Sequence, residues 1–290
     1  MAGYVLPTIF RSLGIPTVVT MHEIFDDISL SAVGVRSEWT VRAGGRIATR
    51  LALNADVTCV TLARHESQLR RLYRTTNVRH IPHGSLVEPE LLPHRSGHRE
   101  QKLLFLGCLS PHKGLSVLLA SFKRFRRRGG QARLLIVGDD HPRFSTYCGE
   151  VRAQLSDTDG VEYVGAQPEV RLRKLFSDST AVVLPYLAST GASSVLYRAA
   201  ALGRPAILSD LDELRASAEE VGLQAEYVPP NDSVALATTI ERLLRDEIRM
   251  EALARHNVAI MRRYTPTEIC NLYVDVFRQV LDGRSKRRIV

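Results

Sequence analysis

The chain has 290 residues, 44% of them hydrophobic and 24% charged, which is the balance of a globular protein and not of a disordered or collagen-like one. Its length suits two α/β domains. No apolar run approaches the roughly 20 residues that cross a bilayer, and Met1–Gly14 carries Arg11 without a charged segment ahead of its apolar part, so it does not read as a signal peptide.

The net charge of +8 favours anionic partners such as phosphates, acidic lipid surfaces or nucleic acid, without choosing among them. Cys59, Cys108, Cys148 and Cys270 are scattered, with neither metal-ligand nor redox spacing, so free thiols in a cytoplasmic protein are expected. Two basic runs, Lys123–Arg128 and Arg284–Arg288, read as a solvated helix end and a tail, or as contacts for such partners.

In chain order, apolar runs rich in β-branched residues alternate with amphipathic segments. Val18–Thr20 after Pro16 is a predicted strand, Glu38–Leu53 a helix, Val57–Val60 a strand, Ala63–Tyr73 a helix and Val78–Ile81 a strand. Glu88–Glu100 holds prolines, histidines, a glycine and charges with no period, and reads as a linker. The alternation restarts with Leu103–Leu106 (strand), Gly114–Arg128 (helix), Arg133–Val137 (strand), Glu150–Leu155 (part of a helix) and Val161–Val164 (strand). Next come Glu169–Phe176 (helix), Ala181–Leu184 (strand), Ser193–Leu202 (helix), Ala206–Leu208 (strand), Leu211–Glu220 (helix) and Ala225–Val228 (strand). Three helical segments follow, Ser233–Asp246, Arg249–Arg263 and Thr267–Leu281, with a break at Thr265–Pro266. Strands alternating with helices imply parallel sheets. The second half supplies about six strands and the first about three, where a full domain of this type has about twice that, so the N-terminal domain is expected to be incomplete.

Ligands in open α/β sheets bind beyond the carboxyl ends of the strands, and three such ends stand out. Gly107–Gly114 follows a strand and offers Lys113 to a phosphate as a point charge; it also reads as a surface loop. The segment from Ser189 to Ser194 follows Ala181–Leu184 and leads into a helix. Its small residues admit a ligand, and free N–H groups with the helix dipole favour an anion; it also reads as an ordinary Ser/Thr cap. Gly138 ends a third strand. His22, after Val18–Thr20, reads as a sugar contact or proton shuttle, or as a structural histidine. His80 and His83 lack a third ligand at metal spacing.

The quoted motifs resemble glycosyltransferase family 4, the retaining GT-B enzymes. Asn77–Ser85 (NVRHIPHGS) resembles the family's turn before the interdomain linker. Leu103–Phe122 (LLFLGCLSPHKGLSVLLASF) matches its L-F-x-G-R-L-x-x-x-K-G segment, and Arg133–Asp139 its strand ending V-G-D/E-G. Val161–Pro185 matches the run from V-x-F-x-G to V-x-P-S, and Ala199–Asp210 matches A-M-A-C-G-x-P-V-V-A-S-D. The resemblance implies a GT-B fold of two Rossmann-like domains with parallel sheets. The divisions would be 1–87 (partial N-terminal, acceptor side), 88–100 (linker), 101–265 (nucleotide-sugar binding) and 266–290 (a helix crossing back to the first domain).

By the same resemblance, Lys113 contacts the donor diphosphate, Gly191, Ala192, Ser193, Ser194 and Val195 hold phosphate through backbone amides, and Gly107, Gly138 and Gly165 line the donor site, Gly165 near the base. His22 matches the strand-end histidine of a T-x-H pattern that faces the donor sugar. The chain departs from the family where Cys108 replaces an arginine, and where two glutamates with seven residues between them fall on Thr190 and Arg198. Arg198 is donor-only and cannot accept from ribose hydroxyls, though it could pair a phosphate. The implied activity is metal-independent transfer of a sugar, with retention, from a nucleotide-diphosphate donor to a lipid-linked or soluble acceptor, with no cofactor. The alternative is a non-catalytic module or half of a split transferase completed by a partner chain. No nucleic-acid motif is present. On Glu38–Leu53, Arg42, Arg46 and Arg50 share a face that Trp39 and Ile47 flank, which suggests peripheral contact with an anionic membrane at its inner face.

Overall fold

A computed structural model of the chain describes residues 2–24, 38–93, 100–156, 158–189 and 191–287. Thr190, part of the predicted linker (94–99) and the side chains of the C-terminal basic run lie outside the described residues. The chain divides into two compact units. Unit 1 comprises Met1–Gly84, Thr190–Ala192 and Tyr264–Val290; unit 2 comprises Ser85–Ser189 and Ser193–Arg263.

Unit 1 carries strands β1 (Val18–Met21), β2 (Val57–Val60) and β3 (Val78–His80), all parallel, in the order β1-β2-β3. Its helices are α1 (Ala2–Ser12), α2 (Glu38–Ala52), α3 (Ala63–Tyr73) and α11 (Pro266–Arg287). Helix α1 is absent from the sequence reading. Tyr4 packs on the core around Met21, Val60 and Leu69, and Pro7 is buried, but Val5, Leu6 and the residues from Thr8 to Ser12 are exposed. A helix that turns apolar residues outward shows no core-facing period, which is why pattern reading passed over it. Behind the sheet, Val276 of α11 packs against Cys59 and Ile81, and Tyr273 lies within 3.4 Å of the Thr20 hydroxyl.

Unit 2 is a six-stranded parallel sheet of β4 (Lys102–Leu106), β5 (Arg133–Val137), β6 (Val161–Tyr163), β7 (Ala181–Leu184), β8 (Ala206–Ser209) and β9 (Glu226–Val228). The order is β6-β5-β4-β7-β8-β9. Strands β5 and β7 are wholly apolar beyond Arg133 and lie buried, as strands covered on both faces must. Helix α4 (Leu115–Arg127) buries Leu115, Leu118, Leu119, Phe122 and Phe125 and leaves its arginines at the rim. From the basic run there, Arg126 pairs with Asp159 and Arg128 reaches Glu241 at 3.7 Å, so part of its charge is matched within the unit.

The remaining helices are α5 (Ser145–Ser156), α6 (Glu169–Asp178), α7 (Ser194–Ala201), α8 (Asp212–Val221), α9 (Ser233–Arg245) and α10 (Glu247–Met261). Helix α5 begins five residues before the predicted segment, since Ser145–Gly149 has no apolar period to reveal it. Arg204, 1% exposed, donates to the carbonyls of Phe176 at 2.8 Å, Pro93 at 3.1 Å and Ser177 at 3.3 Å. That guanidinium ties the segment after Ser85 onto the unit. Nearby, Glu90 N donates to Ala201 O at 2.8 Å and its carboxylate pairs with Arg173 at 2.6 Å.

Candidate functional site

The strand order of unit 2 reverses at β4 and β7. From β4 the chain moves outward through β5 and β6, then returns to the other side of β4 with β7. A crevice opens beyond the carboxyl ends of the strands at such a switch point. The two loops nominated most strongly by the sequence leave β4 and β7, so they are neighbours.

The loop after β4 closes as a one-turn 3-10 helix, Pro111–Lys113, capped by Gly114. Gly114 has φ +67°, and a Cβ there would lie 1.8 Å from the Pro185 carbonyl oxygen. Only glycine lets α4 start this close to the end of β7. His112 O accepts from Leu187 N at 2.8 Å, which zips the two loops together. Lys113 Nζ stands 3.9 Å from the centroid of the Tyr186 ring, a cation–π contact that orients the ammonium.

Gly107, Gly138 and Gly165 form adjacent rungs of one ladder across the strand ends. Gly107 N donates to Val137 O at 3.0 Å, and Gly138 N to Gly165 O at 2.9 Å. A Cβ on Gly138 would fall 1.9 Å from Gly107 O. The Lys113 stem passes over Gly107 at 4.0 Å from the position a Cβ would take, whereas the space around Gly165 is open. Tyr163 donates its hydroxyl to Gly138 O at 3.1 Å.

At the α7 end, Ser193 is the N-cap, and its hydroxyl accepts from Leu196 N at 3.4 Å. That is the ordinary cap expected of a Ser/Thr at this position. The cap leaves the N–H groups of Ser194 and Val195 without a partner among the described residues. Arg198, 4% exposed, places Nη1 2.5 Å from Glu169 Oε1 in the first turn of α6. Cys108 is exposed.

Within unit 1, His22 follows β1 and is exposed, its ring 6.4 Å from that of His83 in an edge-on arrangement. Gly191 belongs to the same unit, and a Cβ there would meet the His22 carbonyl oxygen at 2.6 Å. Burial pushes the His83 imidazole below its ordinary pKa; the Gly84 carbonyl opposes this and His22 adds to it. Among the described residues no group of three His, Cys, Asp or Glu is placed to hold a metal.

The structure thus brings Gly107, Lys113, Gly138, Gly165 and the Ser193–Val195 turn to one edge of the unit 2 sheet. Sequence reasoning missed Tyr186 and Glu169. The signal for Tyr186 was its place directly after the β7 strand and Pro185. For Glu169 it was an acidic first-turn residue on a helix that follows a nominated glycine loop.

The family described as glycosyl transferases group 1 matches residues 100–246. Phosphatidyl-myo-inositol mannosyltransferase of Mycobacterium leprae is 27% identical over 214 residues, covering 72% of this chain and 55% of that protein. The protein of the same description from Mycolicibacterium smegmatis is 28% identical over 163 residues, covering 55% of this chain and 40% of that one. The chain therefore matches about half the length of these curated relatives. Among solved structures, sucrose-phosphate synthase from Thermosynechococcus elongatus superimposes with a TM-score of 0.75 at 23% identity, covering 97% of this chain and 72% of that one. Anabaena HepE in complex with UDP gives 0.72 at 17% identity, covering 95% and 76%.

Proposed function

The chain belongs to the glycosyl transferases group 1 family and has the GT-B fold, and on that premise we propose that it transfers a sugar from a nucleotide-diphosphate donor to a lipid-linked or soluble acceptor. The reading extends to family 4 chemistry, with retention of configuration at the sugar and no metal or cofactor. The observation that carries it is that the Lys113 turn and the α7 N-terminus follow the neighbouring strands β4 and β7 at the switch point. One brings a positive charge oriented by the Tyr186 ring and the other unpartnered N–H groups at the positive end of a helix dipole. A diphosphate carries enough negative charge to use both, and charge developing on the leaving diphosphate would be met by groups already in place. Gly107 and Gly138 keep the floor of the site free of side chains, and open space at Gly165 is proposed for the base. His22, with Gly191 and Ala192 in its unit, is proposed as the sugar-facing contact. UDP in the complexed HepE structure supports a pyrimidine nucleotide among the candidates.

Calorimetric titration of UDP and GDP against the wild type and Lys113→Ala tests this. One nucleotide is expected to bind, and the substitution to cost on the order of 1.5–3 kcal/mol, or tenfold to a hundredfold in affinity. Equal binding by both proteins would remove Lys113 from the phosphate site. A second reading, a non-catalytic module or half of a split transferase with a partner chain, is favoured by the Arg198–Glu169 pair, which occupies a guanidinium standing where the family pattern has a glutamate. Failure of either nucleotide to bind the wild type at about millimolar concentration, an affinity near 4 kcal/mol, would put that reading first.

A further inference from the structure

Helix α6 starts at the same edge of the unit 2 sheet as the Lys113 turn, because it follows β6 as that turn follows β4. Its first turn carries Glu169, close in sequence to Gly165, around which the space is open. The Glu169 carboxylate reaches Arg198, one turn into α7 beyond Ser194. This one side chain therefore spans from the loop proposed for the base to the helix whose first turn is proposed for the diphosphate. A nucleotide lying along that line sets its ribose between the two, beside Glu169.

Only one oxygen of the carboxylate is engaged. Oε1 accepts from Arg198 Nη1 at 2.5 Å, while among the described residues Oε2 has no partner and the side chain is 65% exposed. The arginine is almost wholly buried, so its planar guanidinium fixes the oxygen it holds. An ionised carboxylate accepts and never donates, and the diol of a ribose offers hydroxyl donors. Hydrogen bonds to such an ionised acceptor are roughly twice as strong as neutral ones. Other polar side chains at this edge are already engaged. Gln167 donates to Val164 O at 2.7 Å, and its own oxygen lies 3.5 Å from Arg171 Nη1. At the end of β5, Asp140 pairs with Arg152 at 3.0 Å and Asp139 Oδ1 accepts from Asp140 N at 2.8 Å.

We infer that Glu169 is the ribose-binding residue of the unit 2 site, its outer oxygen accepting from a sugar hydroxyl of a nucleoside diphosphate, and that Arg198 is a positioning residue that holds the inner one. The inference rests on the donor site proposed above and names the group there that tells a ribonucleotide from a deoxy form. A site that hydrogen-bonds a ligand hydroxyl rejects the analogue lacking it, because the acceptor is then left unpaired. On this assignment the Arg198–Glu169 pair completes a nucleotide site instead of marking its loss.

The test is calorimetric titration of the full chain with UDP and GDP, and with the 2′,3′-dideoxy counterpart of whichever binds. The readout is the ratio of the two affinities within one protein, which a change in fold stability does not move. The wild type is expected to favour the ribonucleotide about tenfold to a hundredfold, the worth of a charged hydrogen bond. Glu169→Ala should bring the ratio close to one by weakening the ribonucleotide, and Glu169→Gln, which keeps the shape without the charge, should give an intermediate ratio. Arg198→Met leaves the carboxylate but frees it and should lower the ratio, which Arg198→Lys should partly restore. A wild type that binds a nucleotide without distinguishing the dideoxy form overturns the inference and leaves the donor site standing. So does a wild-type ratio in both Glu169 variants. Loss of the ratio in Asp139→Asn, with Glu169→Ala unchanged, hands the diol to Asp139 and overturns it too. An unchanged ratio in Arg198→Met overturns the positioning role. If neither nucleotide binds the wild type, the donor site and this inference fall together.

Discussion

Arg198 Nη1 lies 2.5 Å from Glu169 Oε1, joining α7 to the first turn of α6. The arginine is almost wholly buried and the glutamate is 65% exposed, so the pair is unequal. The carboxylate has water as an alternative partner; the guanidinium does not. Glu169→Gln is therefore expected to destabilise unit 2 by about 1–2 kcal/mol, a charged hydrogen bond discounted for the exposure of its acceptor. Urea unfolding of a double-mutant cycle with Arg198→Met gives the coupling directly. Coupling near zero would mean that Arg198 is held by packing alone.

Gly114 is expected to be the least replaceable glycine of the switch point. Gly114→Ala needs both a left-handed φ and a shift of the Pro185 carbonyl, which should cost about 3 kcal/mol or more. Gly129→Ala is the control. Its φ is +88° but nothing lies within 4 Å, so only the backbone term of about 1–2 kcal/mol applies. Denaturant midpoints that fall equally for the two would show that the Pro185 contact relaxes freely.

His83 links stability to pH. Burial holds its folded pKa below the ordinary value of 6.5, so as pH falls the unfolded chain takes up this proton first. Stability should decline as pH drops through about 6.5 and level off once pH is below the folded pKa. His83→Gln should flatten that part of the profile. The measurement is the urea midpoint of both proteins from about pH 8 to 4, and superimposable profiles would count against the linkage.

The four thiols should separate into two classes. Cys108 and Cys270 are exposed, while Cys59 and Cys148 are buried. Burial pushes the Cys59 thiol up to about 11, with Arg79 opposing, and raises Cys148 too. A thiol-specific chromophore at neutral pH should react with two groups promptly and with the other two only on unfolding. Prompt reaction of a third would show that one of the buried sites opens.

The parts of this fold that were legible in the sequence are those whose signal is local. Strands β4, β5 and β7 are short apolar runs closed by glycine or proline, and α4 repeats its apolar residues at helical spacing, so both kinds of element could be read directly. The strand-end loops followed because βα alternation fixes which end of a strand faces a ligand. What could not be read depends on residues far apart in sequence. Tyr186 lies under Lys113 only because β7 returns beside β4 rather than beside β6, and Glu169 meets Arg198 only because α6 and α7 pack from different crossovers. The partner of a buried arginine is a matter of topology, which no spacing encodes. Helix α1 was missed for the opposite reason: its pattern is local, but it points away from the core that pattern reading assumes.

The three carbonyls gathered by Arg204 give the chain a fastening that ionic strength does not loosen. The neighbouring Arg173–Glu90 pair is a surface contact, and concentrated salt will screen it. Arg204 sits out of reach of bulk ions, and the acceptors it gathers from Pro93, Phe176 and Ser177 are dipoles without net charge. The segment entering unit 2 thus keeps its seat in brine as in dilute buffer, and an Arg204→Lys exchange, which keeps the charge but loses the planar fork that spans three acceptors, would unseat it in both.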